Sequence, residues 1–253
     1  MQRRRADWSF RLKEEFKHAE SAYFVTLTYS DEMIPRIGNF QSLDKKHIQN
    51  FIKKLRRRNE PFKLRYYAVG EYGTKTHRPH YHVTIFNLFG DIHKHIQRSW
   101  CNGKKISYGG VHIGNVTDAS IHYQMKYHVN PNRNDYKEWY GVENEFALMS
   151  TKPPIGYQYL ERVGWWNKAG KRGYLINNGF KQALPRYYRE KVFNMMEKDE
   201  ISKEQMMAAD KEYARKIEEL TKLGFENPEY ELEVRLFEKS LMIEQKARYQ
   251  SKF

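Results

Sequence analysis

The spacing of apolar positions divides the chain into a strand-and-helix body and a helical end. Ala22-Tyr-Phe-Val-Thr-Leu-Thr-Tyr29 is rich in β-branched and aromatic residues and predicts a buried strand. Before it, Trp8, Leu12, Phe16 and Ala19 recur every three to four residues, predicting a short helix that Asp7 can cap. After a loop with Pro35 and Gly38, Ile48, Phe51, Ile52 and Leu55 form one stripe of a second helix, with Ser42 or Asp44 at its start. Asn59-Glu60-Pro61 breaks that helix. Phe62–Val69 and His80–Asn87 then read as strands two and three. Ile92, Ile96 and Trp100 lie on a helix stripe, and Val111–Val116 is the fourth strand. A helix capped by Thr117 or Asp118 follows, through Ile121, Tyr123, Met125 and Tyr127 to a stop near Pro131.

This order predicts an α+β fold. Strands two and three pair as a hairpin, and helices make the crossovers of a ferredoxin-like, RRM-like split βαβ arrangement: an antiparallel sheet with helices packed on one face. Residues 131–185 are rich in Gly, Pro and aromatics, and 145–156 read as an irregular loop. We expect one domain over 1–185, its core at about 20–130 and an extension over 131–185. A charged helical C-terminal extension over 186–253 completes the chain. Asn227-Pro228 marks the start of its last helix. That helix carries a stripe of Tyr230, Val234, Phe237 and Leu241, expected to pack back on the body.

Charge narrows the choice of partner. The net charge is +14, and it is uneven: residues 1–185 carry 31 Lys+Arg against 16 Asp+Glu, residues 186–253 only 14 against 15. A basic body with a near-neutral end points to a polyanion, nucleic acid first, and 19 Tyr offer faces for unpaired bases. Lys53, Arg56, Arg57 and Arg58 on the second helix read first as a solvated face and second as phosphate contacts. Cys101 is the only cysteine, so neither a disulfide nor a thiolate zinc cluster forms within the chain. The basic start is not followed by an apolar stretch, so we expect no membrane partner and a location in the cytoplasm.

Candidate chemistry comes from two constellations. In Arg78-Pro79-His80-Tyr81-His82 the histidines are two apart on a strand, so both imidazoles share a face. The second such pair, His93 and His95, lies in a predicted helix, where positions two apart diverge by roughly 200°. The hairpin would bring Glu71 beside His80 and His82, and two His with one carboxylate leave coordination positions open for substrate. The other constellation is Tyr123-Gln-Met-Lys126-Tyr127, whose phenols stack on one helix face about 6 Å apart along the axis. Aromatic packing explains that spacing equally well. Together the two suggest more: a metal polarising a phosphodiester, a tyrosine attacking it, and Lys126 steadying the phenolate or a nearby phosphate.

These motifs resemble the HUH endonucleases, and within them the rolling-circle replication initiators of the Microviridae, gokushovirus type. His80-Tyr81-His82 matches the metal motif and Gly70-Glu71-Tyr72-Gly73 the acidic ligand. Tyr123-Gln-Met-Lys-Tyr127 matches the paired tyrosines, and Phe24–Tyr29 the first strand. Glu145–Ser150 and Leu184–Tyr188 resemble later segments of these proteins. The resemblance spans roughly residues 20–190. It implies Mg²⁺ or Mn²⁺ at Glu71, His80 and His82, and Tyr123 and Tyr127 as nucleophiles. It also implies nicking and rejoining of single-stranded or unwound origin DNA through a 5′-phosphotyrosine, with a host helicase and replisome as partners in the host cell cytoplasm. Lys75, Arg78 and Arg186 join the helix-two cations as DNA contacts. Three alternatives stand: an HUH transposase or plasmid initiator, a non-catalytic single-strand-binding module, and a two-His-one-carboxylate iron oxygenase. The last gives no reason for the basic body.

Overall fold

The structure, a computed structural model, describes residues 2–73, 75–129, 140–177 and 179–250. The side chains of residues 2, 126–129, 180, 243, 244 and 246–250 fall outside that description. The described chain forms two compact units, residues 1–162 and 163–253.

In the first unit, strands β1 (Ala22–Thr28), β4 (Arg65–Tyr72), β5 (Pro79–Phe86), β6 (Val111–Asn115) and β7 (Phe146–Met149) form one antiparallel sheet in the order β6-β1-β5-β4-β7. The four strands legible in the sequence thus stand as fourth, first, third, second, which is the split βαβ arrangement. The fifth, β7, pairs with β4 where the sequence suggested only a loop. Its four residues, Phe-Ala-Leu-Met, are too few to show alternation, so pairing with a neighbour is what makes them a strand. A small hairpin, β2 (Arg36–Ile37) and β3 (Phe40–Gln41), fills the expected loop.

The sheet buries both faces. Helices α2 (Lys45–Arg58) and α3 (Ile92–Ser99) cover one, packing Ile48, Phe51, Ile52, Leu55, Ile96 and Trp100 on Val25, Leu27, Tyr81, Val83 and Ile85. Asp44 caps α2 by accepting from the backbone of Lys46 and His47. On the other face, α1 (Gln2–Lys17) and α4 (Asp118–Val129) pack Leu12, Ile121 and Met125 on Tyr67, Val69 and Phe86. Helix α1 begins five residues before Asp7, which is an interior position and not a cap; Phe16 is exposed. A buried ion pair between Glu15 of α1 and Arg65 of β4 ties this helix to the sheet. Arg65 also donates to the carbonyls of Pro153 and Pro154, and Glu15 accepts from the backbone of Gly156. The stop expected for α4 near Pro131 lies outside the described residues.

The second unit contains most of α5 (Gln158–Ala169), the hairpin β8 (Tyr174–Asn177) and β9 (Phe180–Ala183), α6 (Arg186–Val192), α7 (Met195–Lys222) and α8 (Pro228–Gln250). Asn194 and Glu197 close a reciprocal cap on α7, and Asn227 caps α8 as its sequence suggested. The stripe expected to be buried on α8 faces outward, with Tyr230 and Phe237 each 64% exposed; Leu232 is the buried position. Spacing fixes which residues share a helix face but not whether anything covers it. No helix among the described residues is long and apolar enough to cross a membrane.

One strand anchors both layers. Tyr81, between the two histidines, points to the α2 face and is fully buried. Its hydroxyl accepts from the backbone of Asp44 at 2.9 Å, donates to the Asp44 carbonyl at 3.0 Å and shares a hydrogen bond with Tyr29 at 2.8 Å. Tyr81→Phe leaves these groups unpaired, so urea unfolding should show a loss of about 1–3 kcal/mol. An unchanged midpoint would show that the network does not anchor α2.

Candidate metal centre and tyrosine helix

Antiparallel register assembles the centre. Glu71 stands opposite His80, Val69 opposite His82, and Tyr67 opposite Thr84, so Glu71, His80 and His82 emerge on one face of the β4–β5 hairpin. Their ligand atoms all lie within 4.8 Å of one another. Glu71 Oε1 sits 2.6 Å from His80 Nε2 and 3.1 Å from His82 Nε2. On β1, Thr26 faces His82 and its hydroxyl lies 3.0 Å from Nδ1, while Phe24 stacks on the same ring at 5.4 Å. These contacts hold the imidazole plane.

The donor set fits a cation on two observations. His80 Nδ1 lies 3.1 Å from the Arg78 carbonyl oxygen, an atom that only accepts. Nδ1 therefore carries the hydrogen, and Nε2 of the neutral ring aims a lone pair at Glu71 Oε1. Two acceptors 2.6 Å apart need a proton or a metal ion between them. Moreover, Glu71 is 1% exposed and its Oε2 has no hydrogen-bond partner among the described residues, although a buried carboxylate oxygen demands one. A divalent ion held by Glu71, His80 and His82 would satisfy both.

Electrostatics agrees. Burial works to raise the Glu71 carboxyl, but hydrogen bonds from His80 and His82, with their charge, hold it below the ordinary carboxylate value. Burial works against the His80 imidazolium, yet the hydrogen bond and charge of Glu71 raise it above 6.5, and the buried carboxylate of Glu145 adds to this.

Helix α4 delivers a phenol to this cluster. The Tyr123 hydroxyl donates to Glu71 Oε1 at 3.3 Å, and its ring meets His82 edge-on at 5.1 Å. What sets the helix is Gln124, fully buried among Ile121 and Met125. Its amide donates to the carbonyls of His82 at 2.8 Å and Tyr67 at 3.2 Å, and its oxygen accepts from Thr84 at 2.7 Å. The helix is thus bonded to the backbone of a candidate ligand. Lys126 and Tyr127 lie in the last turn of α4, their side chains outside the described residues.

The candidate DNA contacts lie elsewhere. Lys53, Arg56, Arg57 and Arg58 are on α2, on the opposite side of the sheet; Arg56 lies over the Tyr66 ring and Arg58 donates to Ser99. Lys75 is exposed in the β4–β5 connection. Arg78, in the same connection, pairs with Asp31 and donates to the Tyr29 carbonyl, both at 2.5 Å. Arg186 begins α6 in the second unit. The structure therefore gathers Glu71, His80, His82 and Tyr123, and leaves the α2 cations apart from them. Gln124, Thr26 and Thr84 were not singled out by sequence. For Gln124 the signal is present: a polar residue at the buried i+3 position between two apolar ones.

With this geometry in hand, known proteins provide context. The family model for the replication-associated protein ORF2 matches residues 22–132, from the start of β1 past the tyrosine helix. Replication-associated protein ORF2 of Spiroplasma virus 4 is 38% identical over 137 residues, covering 48% of this chain and 42% of that one. Replication-associated protein VP4 of Bdellovibrio phage phiMH2K is 30% identical over 195 residues, covering 66% and 56%. Replication-associated protein ORF4 of Chlamydia phage 1 is 24% identical over 220 residues, covering 79% and 53%. The chain spans about half the length of these relatives. They bear out the resemblance to Microviridae replication initiators. The solved structure of ORF119 from Sulfolobus islandicus rod-shaped virus 1 shares 17% identity. It matches over 47% of this chain and 92% of its own at a TM-score of 0.32, too slight a likeness to bear on the fold.

Two outcomes follow from the centre. Metal binding must displace the His80 proton, so Mn²⁺ affinity should fall about tenfold per pH unit below the raised His80 value, an onset above pH 6.5. Calorimetry in buffers of different ionisation enthalpy reads the released proton; a flat profile from about pH 5 to 7 contradicts it. Separately, Gln124→Leu leaves two carbonyls and a hydroxyl unpaired and should lower stability by about 1–3 kcal/mol in urea unfolding. A neutral result would remove Gln124 as the anchor of α4.

Proposed function

We propose that this chain, whose residues 22–132 belong to the replication-associated protein ORF2 family, is a replication initiator of a single-stranded DNA phage that nicks and rejoins origin DNA through tyrosine. The observation that carries this reading is the Tyr123 hydroxyl 3.3 Å from Glu71 Oε1, against the cluster of Glu71, His80 and His82. Phenol, carboxylate and imidazoles meeting at one point are the parts a phosphoryl transfer needs, and the basic composition of residues 1–185 suits a DNA substrate.

Glu71, His80 and His82 would hold Mg²⁺ or Mn²⁺, which when bound polarises the scissile phosphate and stabilises the charge that builds on its oxygens. Tyr123 Oη attacks phosphorus. One P–O bond forms to the phenol and the P–O bond to the 3′ carbon's oxygen breaks. The phenolic proton passes to the carboxylate already accepting its hydrogen bond, and the departing 3′ oxygen takes a proton from water. The products are a 5′-phosphotyrosine and a 3′ hydroxyl that primes synthesis. One phosphodiester is exchanged for another, so the linkage retains the energy for rejoining. Tyr127, one turn along α4, is assigned the second transfer that ends a round, and Lys126 the stabilisation of phenolate or phosphate. Unwound origin DNA, a host helicase and the replisome are the partners of this scheme, in the host cytoplasm.

The test is an origin oligonucleotide with Mn²⁺ and four proteins: wild type, Tyr123→Phe, Tyr127→Phe and the double variant. Wild type should form a covalent adduct that chelator abolishes, and the double variant none. An adduct in the double variant sinks the nucleophile assignment. DNA binding by wild type that is indifferent to chelator, with no adduct, identifies a binding module instead.

A further inference from the structure

On the sheet face away from the metal centre, a groove of about 970 Å³ runs between the end of α2, α3 and the loop leading into β6. Lys54, Arg58, Arg98 and Lys105 line it, and no carboxylate does. Two of these cations have structural work. Lys54 donates to the carbonyls of Cys101 and Asn102, and Arg58 to Ser99 and the Arg98 carbonyl, closing the end of α3. Those partners are neutral, so the charge remains. Arg98 and Lys105 are exposed and have no ion-pair partner among the described residues. Lys105 also sits at a φ of 65°, a left-handed conformation that favours glycine and disfavours a side chain. A long cation at such a position points to use of its ammonium.

The groove also lies close to the chemistry. At its end, the Gly110 carbonyl accepts from Thr28 of β1, and Thr28 stands opposite His80 of β5. Two strand spacings, roughly 10 Å, separate the backbones of Gly110 and His80. A DNA strand leaving the metal centre over the β1 end therefore meets the groove mouth.

We infer that this groove carries the phosphate backbone of single-stranded DNA flanking the scissile position, a second contact surface that extends the proposed nicking site. A positive, open channel without carboxylates suits a backbone and ignores base identity. The proposal rests on the nicking reading for the choice of DNA, but its test does not require nicking.

Oligothymidylates of increasing length, followed by fluorescence anisotropy without metal, provide the probe. Wild type is compared with Arg98→Glu/Lys105→Glu and with Lys203→Glu/Lys211→Glu, which makes the same charge change on exposed positions of α7. Thermal unfolding of all three should coincide. The groove variant should bind long strands about tenfold more weakly, with a log–log salt slope shallower by about 1.4, the value for two lost phosphate contacts. The control should match wild type. Equal losses in both variants, or none in the groove variant, overturn the proposal. If groove-dependent binding appears while wild type forms no adduct with origin DNA, the nicking reading fails and the groove stands. An adduct without groove dependence overturns the groove and leaves the nicking reading in place.

Discussion

A carboxylate held almost out of water organises the first unit. Glu71 is 1% exposed, and an ionised carboxylate at that depth is tolerable only with cations or donors against it. The hairpin register supplies His80 directly opposite and His82 two residues on, and α4 supplies the Tyr123 hydroxyl. All three converge on Oε1. The second oxygen is left for something the protein chain does not provide, which is why the cluster reads as a metal centre and not as a structural ion pair.

Strand β5 makes this arrangement rigid by serving two layers at once. Even-numbered residues His80, His82 and Thr84 face α4, while odd-numbered Tyr81, Val83 and Ile85 face α2 and α3. Thr84 and the His82 carbonyl hold Gln124, and Tyr81 holds the start of α2. A helix bonded to the backbone of a ligand cannot shift without moving that ligand. The phenol and the imidazoles therefore share one frame, the preorganisation that a transfer reaction requires.

The second unit is built differently. Its long helices are held by caps and by surface pairs such as Arg215 with Glu212 and Glu219, each worth little alone. Its outward apolar stripe on α8 contrasts with the filled layers around the sheet.

Strand alternation and helix stripes determined four of the five sheet strands, their split order and the shared face of His80 and His82, because these follow from periods of two and 3.6 residues. Spacing also excluded His93 and His95. Strand β7, the early start of α1 and the exposed stripe on α8 were not legible, since each depends on a neighbour remote in sequence. The same holds within the site. Composition and motif named Glu71, His80, His82 and Tyr123 as separate candidates. Only tertiary structure decided that they meet, that Gln124 holds the helix there, and that the α2 cations lie on the other side of the sheet. Local periodicity specifies which face a residue takes; which faces come together is a property of packing.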